Sequence, residues 1–513
     1  MNQYNSSFVV RDKSFAIRYS WAAIFFTLIF VSCSGTDRSG ELGIRLNWLS
    51  PTQAASFRSR MIPQADLAGA DLIRVTIQGQ FPDLVREFSL SKYPEGALIS
   101  EIPVGSGIIV RVEAWQKATG KVIYSASRPG VEIRSGQKTE ILMLMTREGE
   151  CSLISALNSP RAFAALTTLA DGRVIIVGGA KVINKDVNRW KISPDGSLEI
   201  YQPEEGSFLA LGSELDVPRI FHTLTQLPDG NLIVVGGMGE GWLNPDLTVQ
   251  AESVASSIEF YHPESGLVSN FGQLNFPRFL HTADLLADGR VLVAGGCGPD
   301  GQRIQTAEIL DPESGGIEQA QMLTARAGHR SVVLPEGSVL FWGGNAAGDP
   351  LAEIYIPGQG FQPFAGGASS PVVEYHTLDR VENWILISGG IIREPYLVLA
   401  DALLVGLNQA SVETKLDLHS PRAMHASFEL SSGQVCLAGG VQNISDISGG
   451  NGVECFDPVA SKFQTAASLK QGRFGNMAVG LVDGNALVLG GIVGNRDSLE
   501  ITFSAEIYNP PGW

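Results

Sequence analysis

The sequence predicts an all-β protein in which a seven-bladed β-propeller follows a small β-sandwich and a signal peptide. Three observations support this prediction: a repeat copied seven times between residues 160 and 491, a strand-rich segment before it, and an apolar run near the N-terminus. Each repeat combines Arg-x-x-His, two short apolar strands around an acid-Gly turn, and a closing Gly-Gly. The spacing of 46 to 59 residues between these diglycines fits one propeller blade, and the pairs begin at Gly178, Gly236, Gly295, Gly343, Gly389, Gly439 and Gly490.

An apolar run near the N-terminus predicts export from the cytoplasm. The run WAAIFFTLIFV covers residues 21–31 and has 11 residues, which is too few to span a bilayer but typical of a signal-peptide core. It follows the basic residues Arg11, Lys13 and Arg18. We therefore expect residues 1–32 to be a signal peptide.

The apolar run ends at SCSG (32–35), which resembles the cleavage site of bacterial lipoproteins. The resemblance implies that Cys33 becomes a lipidated N-terminus and that the membrane is a partner through this anchor. Residues 33–42 would then be a tether, and the protein would lie in the cell envelope at the outer membrane. An ordinary secretory signal that contains a cysteine is the alternative.

Composition narrows the classes of function. The formal net charge of −16 disfavours nucleic-acid binding, which needs a basic surface, and adsorption to anionic lipid. The apolar share of 44% supports a packed interior. The 58 glycines fit an all-β chain with many tight turns.

Residues 43–148 lack the repeat but alternate apolar and polar residues as strands do. Six or seven short strands separated by turn signals predict a β-sandwich. The segment IPVGSGIIVRVEAWQKATGKVIYSA (102–126) resembles small immunoglobulin- or prealbumin-like modules that follow lipoprotein signals.

The third strand of most repeats carries a glutamate, then an aromatic residue and a proline, as in EFYHPESG (259–266). Together with the diglycine, these motifs resemble kelch repeats, and the resemblance covers residues 151–513. It implies four antiparallel strands in each blade. The seventh repeat ends without a fourth strand. Because an open ring leaves unpaired strand edges, we expect the segment 151–159 to close it.

Arginine occupies one position in six repeats, and glutamate begins the third strand in six. The fifth repeat lacks both, with Val372 or Val373 and Leu403 in their places. The two positions flank the second strand, so their strands lie about 9.6 Å apart. We predict a structural Arg–Glu bridge across each diglycine, with the pairs Arg161 and Glu199, Arg219 and Glu259, Arg278 and Glu308, Arg326 and Glu353, Arg422 and Glu454, and Arg473 and Glu506.

Histidine lies three residues after the arginine position in five repeats, and Ala164 and Asn476 replace it in the first and seventh. A residue repeated in the same place indicates packing, so we expect no metal site and no other cofactor. The histidines are His222, His281, His329, His376 and His425.

One motif favours an enzyme instead. Copper radical oxidases of the galactose oxidase type have a similar propeller and an adjacent Tyr-His pair, which Tyr375-His376 resembles. The resemblance implies a copper cofactor and a tyrosine–cysteine crosslink. Asn476 in place of another inner histidine, and the lack of a cysteine clearly placed for the crosslink, oppose it. We therefore assign no catalytic residue.

Long connections between second and third strands mark one rim of the ring at 181–197, 238–257 and 492–504. They carry Trp190 and Trp242, which either contact a partner or fold back over the ring. The sequence thus favours a non-enzymatic envelope protein that presents its propeller to an unidentified protein or glycan. A copper radical oxidase and a structural envelope component are the alternatives.

Four cysteines follow Cys33 in the chain: Cys151, Cys297, Cys436 and Cys455. Cys436 and Cys455 lie on neighbouring strands of the sixth repeat. They are either a cross-strand disulfide, which an envelope location permits, or small buried apolar residues.

Overall fold

The computed structural model describes residues 39–49, 69–364, 372–407 and 413–511. Throughout these ranges the regular structure is β-strand, without any helix. Accordingly, no helix in the described ranges is long and apolar enough to cross a membrane. The expected signal peptide and Cys33 lie outside the described residues.

Seven strands form the unit that precedes the repeats, in the sheet order β3-β2-β5-β6-β7-β1-β4. Strands β6 and β7 pair only at Tyr124–Arg147 and Ser125–Thr146, and apolar residues from both halves of the sheet share one core. The strands are β1 (Ser39–Trp48), β2 (Leu72–Gln78), β3 (Leu84–Ser89), β4 (Gly96–Pro103), β5 (Gly105–Gln116), β6 (Lys121–Ile133) and β7 (Lys138–Arg147).

Strand β1 begins earlier than the sequence predicts. Its residues 39–42 fall inside the segment 33–42 that we expected to be a tether. Leu42 is fully buried in the core of this unit, and the N–H of Glu41 donates to the carbonyl of Gln137 at 2.9 Å. Burial of an apolar side chain and strand pairing therefore place these residues in the sheet.

The first three repeats follow β8 (Glu150–Leu153). The first contributes β9 (Ala165–Thr168), β10 (Val174–Val177), β11 (Ala180–Asp186), β12 (Arg189–Pro194), β13 (Ser197–Gln202) and β14 (Ser207–Glu214). The second contributes β15 (Thr223–Gln226), β16 (Leu232–Val235), β17 (Gly241–Leu243), β18 (Val249–Ala251), β19 (Ser257–His262) and β20 (Leu267–Gln273). The third contributes β21 (Thr282–Leu285), β22 (Val291–Ala294), β23 (Ile304–Leu310) and β24 (Ile317–Arg326).

The remaining repeats continue in the same order. The fourth contributes β25 (Arg330–Val333), β26 (Val339–Trp342), β27 (Ala352–Ile356) and β28 (Gly360–Pro363). The fifth contributes β29 (Thr377–Val381), β30 (Trp384–Ser388), β31 (Ile391–Arg393), β32 (Tyr396–Val398), β33 (Asp401–Gly406) and β34 (Glu413–Asp417). The sixth contributes β35 (Ala426–Glu429), β36 (Val435–Ala438), β37 (Gly452–Asp457) and β38 (Lys462–Ser468), and the seventh β39 (Met477–Gly480), β40 (Ala486–Leu489), β41 (Ile492–Asn495), β42 (Ser498–Ile501) and β43 (Ala505–Asn509).

Each repeat supplies strands to one four-stranded antiparallel sheet. The seventh sheet has the order β39-β40-β43-β8, so it takes its outer strand from the segment before the first repeat, over residues 150–153. First strands of neighbouring sheets contact each other in an unbroken cycle, β9-β15-β21-β25-β29-β35-β39-β9. The result is a closed, propeller-like ring. Its second strands, such as VIIV in β10, are buried along their whole length, which explains their continuous apolar composition.

A cycle of seven backbone hydrogen bonds closes the ring near its axis. The residue two after the arginine position has a positive φ of 52° to 63° in every repeat. Its N–H donates to the carbonyl of the equivalent residue in the preceding repeat, at 2.8 to 3.5 Å. We call these residues the girdle: Phe163, Phe221, Leu280, Gly328, Tyr375, Met424 and Gly475. The left-handed backbone of Tyr375 is therefore a general property of the ring.

The N-terminal unit contacts the ring at the end of β43. The side-chain amide of Asn509 donates to the hydroxyls of Ser125 and Thr146, each at 2.9 Å. All three residues are buried. Because a buried polar group is costly unless it is hydrogen-bonded, this contact holds the two units in one arrangement.

Candidate functional site

Six arginine–glutamate pairs connect the start of each sheet to its third strand, and all twelve side chains are buried. The closest N–O distances are 2.8 Å for Arg161–Glu199, 2.7 Å for Arg278–Glu308, 2.5 Å for Arg326–Glu353 and 2.7 Å for Arg473–Glu506. Arg219–Glu259 and Arg422–Glu454 are paired in the same way. The structure thus brings together every pair that the repeat pattern links.

The pairs also satisfy backbone groups. Nη1 of each arginine donates to the carbonyl of the first glycine of the diglycine at 2.8 to 3.1 Å. Glu308 accepts from the backbone N–H groups of Asn275 and Phe276 at 2.7 and 3.2 Å. These two residues connect the preceding sheet to the third repeat, so the pair links neighbouring sheets and has a structural role.

The first glycine of the diglycine makes room for the next repeat, and the second makes room for its own repeat, since a Cβ on Gly296 would lie 2.7 Å from the carbonyl of Phe279 and 3.0 Å from Cβ of His281. A Cβ on Gly295 would lie 2.7 Å from the carbonyl of Arg326 and 2.8 Å from Cε1 of His329, both of the fourth repeat. The backbone of Gly295 also has φ +61°, which disfavours other residues. The glycine therefore lets the histidine of the following repeat pack against the sheet, and the arginine passes beside it.

The fifth repeat replaces the ion pair with apolar packing. Val373 holds the arginine position, because its carbonyl accepts from the N–H of Gly344 at 2.9 Å as the arginine carbonyls do for the equivalent glycines. Val373 and Leu403 belong to one apolar cluster. The next residue, Glu374, forms ion pairs with Arg303 and Arg393, each at 2.7 Å.

The five repeated histidines are buried between sheets. Burial, together with the nearby Arg330, lowers the pKa of His376 to about 3. Burial, reinforced by Arg219, lowers the pKa of His222 to about 3. The pKa values of His281, His329 and His425 also lie well below the usual range because of burial. The histidines are therefore neutral at pH 7 and act as packing groups.

Threonine hydroxyls partner three of these histidines. The Nε2 atoms of His281, His329 and His425 lie 3.1, 3.3 and 3.3 Å from the hydroxyls of Thr223, Thr282 and Thr377, in that order. Each threonine follows the histidine of the preceding repeat by one residue. In place of the threonine, Ala165 precedes His222 in the ring and Arg330 precedes His376. Both ring nitrogens of each of these two histidines have no hydrogen-bond partner among the described residues.

The long connections on one rim form hairpins, and they change the assignment of the tryptophans. Strands β11, β12, β17 and β18 join into one four-stranded sheet. Trp190 on β12 is only 1% exposed inside an apolar cluster, so of the two alternatives for this residue the structure shows the one in which it folds back over the ring. Trp242 is partly exposed and lies beneath the guanidinium of Arg189, 3.7 Å from the ring centroid.

The cysteines fall into two classes. Cys436 and Cys455 form a disulfide across β36 and β37, with Cα atoms 4.0 Å apart. Cys151 and Cys297 are free thiols. Burial raises the pKa of Cys297 to about 11, so its thiol is not activated as a nucleophile.

Side chains from all seven repeats line one cavity at the ring axis, which we call the axial pocket. Its volume is about 220 Å³. Apolar walls come from Phe163, Phe221, Leu280, Met424 and Met477, and polar groups from His222, Thr223, His281, Arg330, Tyr375, His425 and Asn476. Arg330 could not be found from the arginine, glutamate and histidine positions of the repeat. It lies one residue after the histidine position, where threonine is the commonest residue.

No protein-family model matches this sequence, and no curated protein matches it. A solved structure of a fungal alcohol oxidase of the AA5 family, in complex with copper, is similar to the chain. The two share 16% sequence identity with a TM-score of 0.53, over 70% of this chain and 76% of the oxidase. At this identity the likeness establishes the fold alone, and it agrees with the propeller-like all-β ring.

The comparison also corrects the expected function. We expected a non-enzymatic protein that presents its ring to a protein or glycan. The solved structure that shares the fold is instead an enzyme, and it matches the oxidase alternative.

The residues around Tyr375 do not fit a copper centre. The ring of His376 faces away toward the fourth repeat, with Cε1 2.8 Å from a Cβ position at Gly343. Asn476 replaces a further histidine at the pocket. Within the described ranges, no group of three His, Cys, Asp or Glu side chains could hold a metal ion. No reaction step through copper follows from this arrangement.

Proposed function

We propose that the axial pocket is the functional site of this chain and that it receives a small organic molecule. One observation carries the proposal: beside repeated histidines, the pocket is lined by the girdle position, whose side chain differs from repeat to repeat. The girdle position alone holds phenylalanine, leucine, glycine, tyrosine and methionine. Equivalent backbone geometry with unequal side chains shapes one asymmetric cavity, which is what selective binding requires.

The cavity suits a compact ligand. A volume of about 220 Å³ lies below the roughly 300–1,000 Å³ typical of pockets for drug-sized ligands. The mixture of apolar walls with a few polar groups supports a molecule that has a short apolar body and a polar end.

A ligand screen with two matched variants tests the proposal. Leu280→Trp fills the pocket at a girdle position where other repeats accept Phe or Tyr. Val459→Trp adds the same side chain at a residue that is 95% exposed. We expect a small alcohol, aldehyde, amine or carboxylate to raise the Tm of the wild type and of Val459→Trp, but not of Leu280→Trp. Equal stabilisation of all three proteins, or of none, would refute the proposal.

A copper radical oxidase is the second candidate. The similar alcohol oxidase structure and Tyr375 at the axial pocket favour it, whereas the ring of His376, which faces away from the pocket, and the donor set around Tyr375 oppose it. Stoichiometric copper in purified protein, with alcohol-dependent release of hydrogen peroxide that is lost in Tyr375→Phe, would establish this candidate over a copper-free site.

We also propose the finer assignments for the chain. The seven sheets are the blades of a kelch-type propeller at 151–513, and the unit before them is a β-sandwich of the immunoglobulin or prealbumin type at 43–148, extended to Ser39. The sequence motifs support both. Cys33 is lipidated and anchors the chain at the outer membrane. Wild-type protein should partition into detergent and Cys33→Ala into the aqueous phase; wild type recovered without lipid would contradict the anchor.

A further inference from the structure

We propose that the ligand of the axial pocket is a small organic carboxylate and that Arg330 receives its charged group. The inference rests on the proposed function, because it takes the axial pocket as the site. Arg330 belongs to the pocket lining, and its side chain is accessible from the pocket.

The position of Arg330 is a departure from the repeat. The equivalent residue is threonine in the second, third and fifth repeats, and its hydroxyl hydrogen-bonds the next histidine. Arginine in the fourth repeat leaves Nε2 of His376 buried without this partner in the described structure, whereas Nδ1 is unpartnered in all five histidines. An unsatisfied buried polar group costs stability, and the ring gains only the hydrogen bond from Arg330 to the carbonyl of His376 in exchange.

Arg330 also differs from the six arginines that brace the sheets. Each of those pairs with a glutamate, whereas Arg330 pairs with no carboxylate within the described part of the chain. Its Nε donates to the carbonyl of His376 at 3.0 Å, which orients the side chain. A guanidinium remains charged in proteins, and the exposed side chain of Arg330 presents this charge to the axial pocket.

Asp379 acts on the charge of Arg330, but from a longer range than an ion pair. Asp379 accepts a hydrogen bond from Ser427 at 2.7 Å. Its other carboxylate oxygen is buried without a partner, and burial raises its pKa to about 6. Asp379 is therefore mostly ionised at pH 7, and its charge favours the charged form of Arg330 although the two groups form no ion pair in the described structure. The guanidinium remains open to contact by an anionic ligand.

The chemistry of the pocket favours a carboxylate among anions. With Nε occupied, Nη1 and Nη2 form a fork that matches the two oxygens of a carboxylate. Phosphate sites usually add further donors such as backbone amides or lysine, and the neighbouring histidines here are neutral. The apolar girdle side chains Phe221, Leu280 and Met424 would contact the organic part of the ligand.

Calorimetric titration with benzoate, benzamide and inorganic phosphate tests the inference on the full chain. Benzamide has the shape of benzoate without its charge. We expect benzoate to bind at least about tenfold more tightly than benzamide, as hydrogen bonds to charged groups are worth about 1.5–3 kcal/mol. Arg330→Thr should abolish this preference.

Arg330→Thr also separates a ligand role from a structural role. Threonine restores the residue found in three other repeats, so the Tm should stay equal or rise. Arg330→Lys keeps the charge but lacks the fork and should retain part of the preference. Arg380→Thr, at an exposed arginine of β29, is the matched control and should bind benzoate as the wild type does.

Three results would overturn the inference. In the first, benzoate and benzamide bind equally well, Arg330→Thr leaves both affinities unchanged, and Leu280→Trp abolishes binding. This result would retain the axial pocket as the site but would reject a carboxylate as its ligand. Phosphate binding that depends on Arg330, without benzoate binding, would assign a different anion. A large loss of Tm in Arg330→Thr would make Arg330 a structural residue.

Discussion

Removal of one buried ion pair tests whether the arginine–glutamate pairs hold the ring together. We choose Arg278 and Glu308, because a natural apolar replacement exists in the fifth repeat as Val373 and Leu403. Glu308→Leu leaves the guanidinium of Arg278 buried without its carboxylate at 2.7 Å. It also removes the acceptor from the N–H groups of Asn275 and Phe276.

The expected magnitude follows from these contacts. Breaking a buried ion pair by removing one partner costs about 3–5 kcal/mol. Arg278→Val should cost a similar amount, because it leaves Glu308 buried without its cation and removes the hydrogen bonds that Arg278 donates to the carbonyls of Gly295 and Thr306 at 2.8 and 2.9 Å. The double variant leaves no isolated charge, so it should cost less than the sum of the single variants by about 2 kcal/mol or more.

Urea unfolding measures these free energies, with intrinsic fluorescence and near-ultraviolet circular dichroism required to give the same transition. The exposed pair Arg134–Glu132 has a similar N–O distance of 2.9 Å at side-chain exposures of 64% and 52%, and its removal should change stability far less. Single variants whose losses simply add at Arg278 and Glu308 would show that the two residues do not interact, and the bridging argument would fail.

Three further outcomes are expected. Replacing Cys436 and Cys455 by serine should lower stability by about 3 kcal/mol, because the disulfide closes a loop of 19 residues; unchanged urea midpoints would contradict this. Gly295→Ala should lower the Tm more than Gly230→Ala, since both have positive φ but only Gly295 has neighbours within 4 Å of a Cβ; equal losses would leave backbone strain as the whole effect. Burial raises the pKa of Asp284 to about 7. The contribution of Asp284 to folding stability is therefore fully present below about pH 4 and is lost as pH rises through 7. Asp284→Asn should have a higher Tm than the wild type above pH 7 but not at pH 4, and a difference in Tm that does not depend on pH would refute the assignment.

Much of the ring could be predicted from repetition alone. The arginine, glutamate, histidine and diglycine positions recur, so an internal comparison linked Arg278 to Glu308 before any geometry was known. The reason for the diglycine could not be predicted in this way. The neighbour of Gly295 is His329 of the next repeat, and the number of residues between a diglycine and the next histidine varies along the chain. The two alternatives for Trp190 could not be separated for a related reason: an aromatic residue in a long connection is equally compatible with exposure and with the strand pairing that buries it on β12.

The axial pocket illustrates what a repeat hides and what it shows. A residue that recurs at one position satisfies a need shared by all sheets, as Thr223 and Thr282 do for the histidines that follow them. A departure from that residue removes the shared contact, and Arg330 does so at the cost of the partner of Nε2 in His376. The ring gains only a hydrogen bond to the carbonyl of His376 in exchange. Because the departure also places an arginine without an ion pair in the described structure at the axial pocket, it supports a ligand of that pocket as the reason for the arginine.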